Sequence, residues 1–332
     1  MQARKLKTRS TMTPDYFIHP DDAYALRQLQ QIPILPKVVD WYMKNGIEEL
    51  SWIRNTSYCI RLSETQFPEI YKLLPPICSK FGIAVPELYL DMDVIPNAWT
   101  SGSNRVYITV TRGLVKRFRT EEIQAVLAHE CGHIVCQHTF YQAIADGMIG
   151  IASISENDGI VGGLVSSIGS VAMVPLRRAC LAWQRKSELS ADRAASVICG
   201  EETFTRTMAM LSQIPRPMIN RMNLKQWANQ GKELSEYQNS GVVKKALTMM
   251  SGINDSTHPA EVIRAYEFSK WINSPEYKRM LSIIENSSGP VLALPAESET
   301  KRRLREVKEM YQSGLIDQAE YERERKRILN VS

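Results

Sequence analysis

The chain has 332 residues and a formal net charge of +5, and 44% of its residues are hydrophobic. This length suits one large domain or two smaller ones with a sizeable core. The basic residues are spread along the chain, so the composition predicts neither a nucleic-acid partner nor a strong electrostatic attachment to a membrane surface.

The N-terminus and the cysteines indicate the cellular compartment. Residues 1–17 are basic but contain no apolar segment, so we expect no secretory signal. The six cysteines form neither a Cys-x-x-Cys pair nor the dense pattern of a disulfide scaffold. Both features favour reduced thiols and a cytoplasmic location.

Residues 20–82 are predicted to be mostly helical and to carry no chemistry. One helix runs from Asp21 to Gln31, a second from Leu35 to Lys44, and a third from Thr65 to Phe81 with a kink or break at Pro75-Pro76. We expect these helices to cover a sheet and one wall of a cleft. His19 precedes a proline in a predicted loop and is assigned to the surface.

Two strands are predicted after these helices. They run from Leu88 to Met92 and from Arg105 to Thr111, and a loop from Asn97 to Asn104 lies between them. In the second strand apolar side chains alternate with Tyr107 and Thr109, which is typical of a half-buried strand.

Residues 120–138, TEEIQAVLAHECGHIVCQH, form the most informative segment. Thr120 is predicted to cap a helix whose acidic first turn suits the helix dipole. His129 and His133 are four residues apart on this helix, so both imidazoles can face one tetrahedral zinc ion. Glu130 lies about 100° round the helix, where it can take a proton from a zinc-bound water.

Two cysteines lie on the same helix. Helix geometry directs Cys131 away from the two imidazoles and towards the core. Cys136 falls roughly on the ligand face, one turn further along. Buried cysteines usually act as small hydrophobic residues, and we interpret Cys136 in this way, with a redox or ligand role as the alternative.

A catalytic zinc ion needs a third protein ligand. The metzincin pattern is excluded, because its positions hold Cys136 and Thr139, and His138 is one residue out of register. A predicted helix over residues 183–194 places Glu188 and Asp192 four residues apart. Glu188 is the candidate ligand, and Asp192 could accept the second N–H of a ligating histidine. From these residues alone, a solvated acidic face paired with nearby arginines is the simpler interpretation.

An apolar stretch separates the two helices. Residues 160–176 contain no charged side chain, but the segment includes several Gly and Ser and is shorter than the roughly 20 strongly apolar residues of a membrane span. We expect residues 143–176 to form a helical hairpin with a polar tip at 156–159, packed on itself or on a partner. Membrane insertion is the alternative.

The C-terminal part is predicted to contain a loop, a linker and a charged tail. Residues 251–257 form a loop that carries His258 to a helix running through Trp271. Residues 286–297 contain Ser-Ser-Gly-Pro and a further proline and are interpreted as a linker. Residues 298–332 are predicted to form a helical hairpin that is too short to hold a core of its own.

The motifs His-Glu-Cys-Gly-His and, further on, Glu-Leu-Ser-Ala-Asp resemble the M48 family of zinc metallopeptidases, which includes the Ste24-type and HtpX-type proteases. An Asn-Ala segment at Asn97 and Ala98, the strand that follows it, and Thr257-His258-Pro259 with Arg264 are also similar to the family. The resemblance covers roughly residues 65–285. Within the tail, Leu-Ile-Asp-Gln-Ala-Glu-Tyr resembles the small C-terminal SHOCT module.

The resemblance implies an α+β fold that is mainly α-helical and of the zincin (gluzincin) type, with a small antiparallel sheet beside the zinc helix and a C-terminal helical hairpin. It implies domains at 1–64 (N-terminal helical region), 65–285 (peptidase), 286–297 (linker) and 298–332 (SHOCT-like module).

The resemblance also implies the site. It makes Glu188 the third ligand of one Zn²⁺ and places Asp192 and Arg264 around the ligands. His258 would face the site, where it stabilises an oxyanion, occupies the open zinc position, or acts only as a structural residue or helix cap. An edge strand would lie beside the cleft and pair with an extended substrate. The residues implied for that strand are Asn97, Ala98, Tyr107, Ile108 and Thr109.

The predicted function is that of a zinc-dependent endopeptidase acting on proteins or peptides, in protein quality control. One alternative is a zinc-stabilised client-binding adaptor with little proteolysis. Another is a membrane-associated protease of the HtpX or Ste24 kind. Residues 298–332 and the hairpin at 143–176 are candidates for homo-oligomer formation or partner docking.

Overall fold

The protein is described by a computed structural model that covers residues 12–44, 46–145, 170–239, 259–286, 307 and 317–328. His258, the tip of the predicted hairpin, most of the predicted linker and the first half of the C-terminal hairpin lie outside these residues. The helices are α1 (Pro20–Gln30), α2 (Leu35–Lys44), α3 (Ile47–Tyr58), α4 (Pro68–Tyr71), α5 (Leu74–Phe81), α6 (Arg112–Arg117), α7 (Thr120–Val135), α8 (Ser170–Ala195), α9 (Glu201–Leu211), α10 (Arg216–Ile219), α11 (Leu224–Asn239), α12 (Glu261–Ile272), α13 (Pro275–Asn286) and α14 (Gln318–Ile328).

The chain forms two compact units. Residues 10–288 make up the larger unit, which contains every helix from α1 to α13, and α14 belongs to the other. The predicted fold class, mainly helical with a small sheet, is confirmed.

The sheet has four strands in the order β1 (Ile60–Arg61), β2 (Glu87–Asp91), β4 (Tyr107–Thr111) and β3 (Ala98–Ser101). Neighbouring strands pair antiparallel except for β2 and β4, which run parallel. The expectation of an antiparallel sheet was therefore wrong in this detail. The chain leaves β2, makes the hairpin β3–β4 and re-enters the sheet beside β2 in the same direction.

The strand β3 occupies part of the segment that was predicted to be a loop. It is joined to β4 by a turn in which Gly102 has φ of 88°, and a Cβ atom there would collide with the carbonyl of Arg105. Only glycine adopts this conformation without strain. The turn thus makes the hairpin and leaves β3 at one edge of the sheet that the structure describes.

The first helices follow the sequence prediction closely, with one exception. The second helix has the predicted bounds and the first differs by one residue at each end. The single helix predicted from Thr65 to Phe81 is instead two helices, α4 and α5. Each begins with proline in its first turn, where the missing N–H costs nothing. The prolines therefore start helices rather than kink one.

Two hydrophobic clusters surround α7 and α8. The larger contains side chains of α5, the sheet, α7, α9 and α12, including a stacked pair of rings from Phe204 and Phe268 with centroids 3.8 Å apart. The second joins α1 and α2 to residues 143–145 and to the first half of α8, around the fully buried Trp183. This second cluster attaches the N-terminal helices to the body of the larger unit.

The longest helix, α8, has 26 residues and contains Pro175. It includes the helix that was predicted over residues 183–194. Among the residues that the structure describes, no helix combines the length and the apolar character that a membrane crossing requires.

Candidate metal centre

The helix α7 is anchored at its N-terminus by the buried Glu122. The backbone N–H of Arg119 donates to the Glu122 carboxylate over 2.7 Å, and Arg216 forms an ion pair with the same group. Burial opposes ionisation of Glu122, but the hydrogen bonds and charges of Arg216 and Arg119 together outweigh it and lower the pKa of the carboxyl. The helix therefore begins at Thr120, and its N-cap residue is Arg119 and not Thr120 as predicted. Glu122 accepts the backbone N–H of this cap residue.

The structure brings the two motif histidines and Glu188 together. The Nε2 atoms of His129 and His133 lie 3.1 Å apart. The Glu188 carboxylate reaches both rings, with Oε2 at 3.2 Å from Nε2 of His129 and Oε1 at 3.3 Å from Nε2 of His133. These three residues are buried and form the one group of metal-ligating side chains found among the described residues. Two imidazoles and a carboxylate are the protein ligands of many catalytic zinc sites.

Gly132 explains how α8 comes close enough to α7 to supply Glu188. A Cβ atom at this position would lie 2.9 Å from the carbonyl oxygen of Ala191 and 2.9 Å from Cβ of Ala194. The motif glycine and the alanines of α8 therefore permit a close approach of the two helices. Glu188 lies one turn before Ala191 on α8 and so faces the two imidazoles.

Asp192 and Arg264 surround the first imidazole. Oδ1 of Asp192 lies 2.8 Å from Nδ1 of His129, and Arg264 binds the same carboxylate through two hydrogen bonds of 2.6 and 2.9 Å. Because an ionised carboxylate only accepts hydrogen bonds, Nδ1 of His129 donates its proton to Asp192, and Nε2 is the nitrogen that a metal ion would bind. Arg264 also lies 3.2 Å from Glu188.

The electrostatics of the cluster favour an additional cation. Glu130, Glu188 and Asp192 place three carboxylates here against the single guanidinium of Arg264. Burial and Arg264 oppose protonation of His129, yet Glu188 and Asp192 raise its pKa to about 10. Burial lowers the pKa of His133, with Glu188 acting against it. A divalent metal would satisfy the same excess of negative charge, so the donor set and its charge fit a metal ion.

Glu130 faces a cavity beside the metal ligands. Its Oε2 accepts a hydrogen bond of 2.6 Å from the hydroxyl of Thr100 on β3. The cavity has a volume of about 200 Å³ and also reaches His129 and Arg264. Apolar side chains of α7 and α9 line much of the rest, namely Val126, Phe204, Met208 and Leu211. The space is sufficient for a substrate side chain and for water next to Glu130.

The predicted substrate strand needs a correction. Tyr107, Ile108 and Thr109 belong to β4, which is paired with β2 on one side and β3 on the other, so their main chain cannot pair with a substrate. The edge strand beside the cavity is β3. Asn97 and Ala98, at the start of β3, do line the cavity.

Other predictions concerned residues near the cluster. Cys131 faces the core, with its sulfur 3.9 Å from that of Cys78, and burial raises the pKa of the Cys131 thiol. Cys136 is also buried and lies outside the metal-ligating group. The acidic residues of α8 are not a solvated face, since Glu188 and Asp192 are buried, and Arg193 lies instead over the ring of Trp271.

His19, which was assigned to the surface, is half-buried and has a structural role. Its ring nitrogen Nδ1 accepts a hydrogen bond from the backbone N–H of Asp21 and so caps α1. The backbone N–H of His19 donates to the hydroxyl of Ser190. Burial and the nearby Arg193 lower the pKa of His19 to about 4.

Sequence reasoning missed several polar residues of the site. Thr100 lay in a predicted loop, and nothing in its local pattern connects it with Glu130. His138 was considered only as a third ligand and rejected, although its Nδ1 lies 3.0 Å from Nδ1 of His133. Its position five residues after His133, just beyond the end of α7, was an available signal. Asp22, which contacts His138 at 3.0 Å, was interpreted only as a helix-starting residue.

A helix that presents His-Glu-x-x-His, a second helix that returns a glutamate, and an edge strand beside them define a metallopeptidase of the His-Glu-x-x-His class. The family model "Peptidase family M48" matches residues 65–272, and the chain belongs to this family of metallopeptidases. The model "Short C-terminal domain" (SHOCT) matches residues 302–329. Both resemblances inferred from the motifs are thereby confirmed.

Several characterised proteins are similar to this chain. The plastoglobule-localized metallopeptidase 48 of Arabidopsis thaliana is 26% identical over 273 residues, which cover 80% of this chain and 75% of the relative. Protease HtpX homologues of Bifidobacterium longum and Ralstonia pickettii are 28% and 26% identical, each over 42% of this chain. The matched regions span about half the length of these two relatives, 52% and 54%. No solved structure matches the chain.

Proposed function

We propose that this protein is a zinc-dependent endopeptidase in which His129, His133 and Glu188 hold one Zn²⁺ and Glu130 is the general base. The observation that carries the proposal is the convergence of these side chains on one point, with Glu130 facing a cavity. When bound, the ion supplies Lewis acidity and lowers the pKa of a water to near 7. A site that served only to hold the fold together would need no such base.

The catalytic role of Glu130 follows from its position. Its carboxylate accepts the proton of the attacking water and then delivers it to the leaving amine. The hydroxyl of Thr100 occupies one lone pair of Oε2 at 2.6 Å and so limits the rotation of the carboxylate. The other oxygen is then available on the side of Glu130 that lines the cavity, where a substrate carbonyl would lie.

The edge strand β3 supports binding of an extended polypeptide. Its inner edge pairs with β4 and, among the described strands, its outer edge pairs with none. A substrate strand that adds there gains main-chain hydrogen bonds that do not depend on sequence. We expect some preference for an apolar side chain beside the scissile bond, because Val126, Phe204, Met208 and Leu211 line the adjoining cavity.

The broader setting of the activity is also a proposal. We assign the enzyme to protein quality control in the cytoplasm. The six cysteines, all free thiols in the structure, support the assignment to a reducing compartment. We further propose that residues 298–332, with the SHOCT match, bind a partner or a second copy. Sedimentation of the purified chain with and without these residues tests the second copy, and the same oligomeric state in both would refute self-association through this segment.

The test of the activity is the variant Glu130→Gln. We expect it to bind one Zn²⁺ per chain with unchanged affinity and to lose cleavage of unfolded casein by about 100-fold or more, as expected for a general base. Glu121→Gln is the matched control, since Glu121 lies on the same helix and is exposed. Sequencing the cleaved ends tests the apolar preference.

The same assay separates the proposal from the adaptor alternative. A chelator must abolish cleavage by the wild-type chain, and added Zn²⁺ must restore it. If Glu130→Gln cleaves casein as fast as the wild type, Glu130 is not the base and the mechanism is wrong. If the wild type binds zinc and captures casein without cleaving it, the chain acts as an adaptor.

A further inference from the structure

The second ligand, His133, has a buried polar neighbourhood that the proposed mechanism does not use. Its Nε2 faces Glu188, and its other nitrogen, Nδ1, lies 3.0 Å from Nδ1 of His138. His138 is only 2% exposed. An imidazole that binds a metal through Nε2 carries its proton on Nδ1, and that proton needs an acceptor. His129 has the carboxylate of Asp192 for this purpose, but no carboxylate contacts Nδ1 of His133 among the described residues.

Asp22 determines which nitrogen of His138 is protonated. Nε2 of His138 lies 3.0 Å from Oδ2 of Asp22, and Asp22 is 1% exposed. An ionised carboxylate only accepts hydrogen bonds, so Nε2 of His138 is the donor. In the neutral ring Nδ1 of His138 then carries a lone pair. It accepts the Nδ1 proton of His133, and the hydrogen bonds run in one direction from His133 through His138 to Asp22.

The Asp22 carboxylate is held by two further donors on α8. The indole N–H of Trp183 donates to Oδ1 over 3.0 Å, and the hydroxyl of Ser190 donates to Oδ2 over 2.5 Å. Burial opposes ionisation of Asp22, but the bonds from His138, Ser190 and Trp183 outweigh it and lower the pKa of the carboxyl. Asp22 is therefore an ionised, fixed acceptor inside the protein.

Gln142 completes the arrangement. Its side-chain amide lies 2.9 Å from Nδ1 of His133, and its Oε1 atom is buried without a hydrogen-bond partner in the assigned orientation. An amide N–H in that position would oppose the Nδ1 proton of a ligating His133. Reversing the amide directs Oε1 at this proton and gives that oxygen a hydrogen-bond partner. The position thus suits a second acceptor for the same N–H.

We propose that His138 and Asp22 are positioning residues for the metal centre, which orient the His133 imidazole and keep its Nε2 lone pair available to the ion. This inference rests on the proposed zinc site. Asp22 lies on α1, outside residues 65–272 that match the family model. The N-terminal helix, to which the sequence assigned no chemistry, therefore forms part of the functional site.

The variant Asp22→Asn tests this directly. The indole N–H of Trp183 can only donate, so it attracts the amide oxygen and directs the amide N–H₂ towards His138. His138 must then take its proton on Nδ1, where it opposes the Nδ1 proton of His133. We expect zinc affinity, measured in the full chain by competition with a chromophoric chelator, to fall by about 10- to 100-fold, as for other residues that support a metal ligand.

Two further variants separate positioning from folding. Asp21→Asn is the matched control, because Asp21 is the neighbouring residue on α1 and is paired with the exposed Lys186 at 2.8 Å. We expect its zinc affinity to stay within about twofold of the wild type. His138→Phe keeps a ring of similar size but offers His133 no acceptor. We expect it to lose zinc affinity as Asp22→Asn does, and the visible spectrum of the Co²⁺-loaded chain to change in both.

The outcomes are distinct. If the wild type binds zinc and either Asp22→Asn or His138→Phe, folded by circular dichroism, binds it equally tightly with the same Co²⁺ spectrum, the positioning role is wrong while the proposed function stands. If the wild type binds no zinc, or Glu188→Gln binds it as well as the wild type, the proposed site itself fails and this inference with it.

Discussion

Replacing Gly132 by alanine should damage the metal centre without touching any ligand. The added Cβ atom would lie 2.9 Å from Ala191 O, 2.9 Å from Ala194 Cβ and 3.0 Å from Ala191 Cα. Comfortable separations between such atoms are about 3.5 to 4.0 Å, so α7 and α8 must move apart by on the order of 0.5 Å. Metal ligands tolerate only about 0.2 Å of displacement, and Glu188 is attached to the helix that moves.

The effect on stability is a difference between two opposing contributions. Overpacking of this kind costs about 1–3 kcal/mol of unfolding free energy. Alanine is a better helix former than glycine by about 1 kcal/mol in a helix interior, which offsets part of that cost. The metal-free protein should therefore lose only about 0–2 kcal/mol. Helix propensity gives no such compensation to the metal site, so zinc affinity should fall by about tenfold or more.

Chelator competition measures the zinc affinity, and denaturant unfolding of the metal-free chain measures the stability. Gly200→Ala is the matched control, because a Cβ atom at Gly200 meets nothing within 4 Å. It should leave zinc affinity unchanged. If Gly132→Ala binds zinc as tightly as the wild type, the close approach of α7 and α8 is not what positions Glu188, and the reasoning is refuted.

Two other predictions follow from residues that the local sequence pattern did not identify. Thr100→Val removes the hydroxyl that orients Glu130. We expect kcat for casein cleavage to fall by about tenfold, which is the loss expected for a hydrogen bond to a charged group, and zinc affinity to stay unchanged. An unaltered kcat would contradict the orienting role. His19 has a pKa near 4 in the folded chain against about 6.5 when unfolded, so below pH 6.5 the unfolded state binds more protons and stability falls between pH 6.5 and 4. His19→Asn keeps a capping acceptor but does not titrate. Between pH 6.5 and 4 its unfolding free energy should therefore fall less than that of the wild type, by on the order of 2 kcal/mol after allowance for partial exposure. Identical dependence of the unfolding free energy on pH in the two proteins would refute this.

The helices and the chemistry of α7 were predictable because they depend on local sequence. The spacing of His129 and His133 on one helix places both imidazoles on the same face whatever surrounds them. Helix α2 was predicted with its observed bounds, since its end signals lie within its own segment. Resemblance to the family supplied Glu188, whose own surroundings on α8 favoured a solvated acidic face.

The errors occurred where the outcome depends on long-range pairing. Residues 97–104 contain a turn-forming glycine and were assigned to a loop, but pairing with β4 makes Ala98–Ser101 the edge strand. The same pairing places Tyr107, Ile108 and Thr109 inside the sheet. A strand pattern shows which face of a strand is buried but does not show whether it has one neighbour or two.

The sequence alone determined that His129 and His133 share one helix face with Glu130 beside them, because i and i+4 spacing acts within a single helix. The order of its motifs also indicated the family to which the chain belongs. The resemblance to the family already placed Asp192 and Arg264 around the ligands, but only the tertiary structure decided that Thr100 and Asp22 also belong to the candidate site. Thr100, Asp192 and Arg264 are brought to α7 by the packing of β3, α8 and α12, and Asp22 arrives from α1 through the second hydrophobic cluster. Most of these contacts join residues more than 50 positions apart in the sequence, and Asp22 and His138 are separated by 116 positions. A local sequence pattern does not predict contacts over such distances.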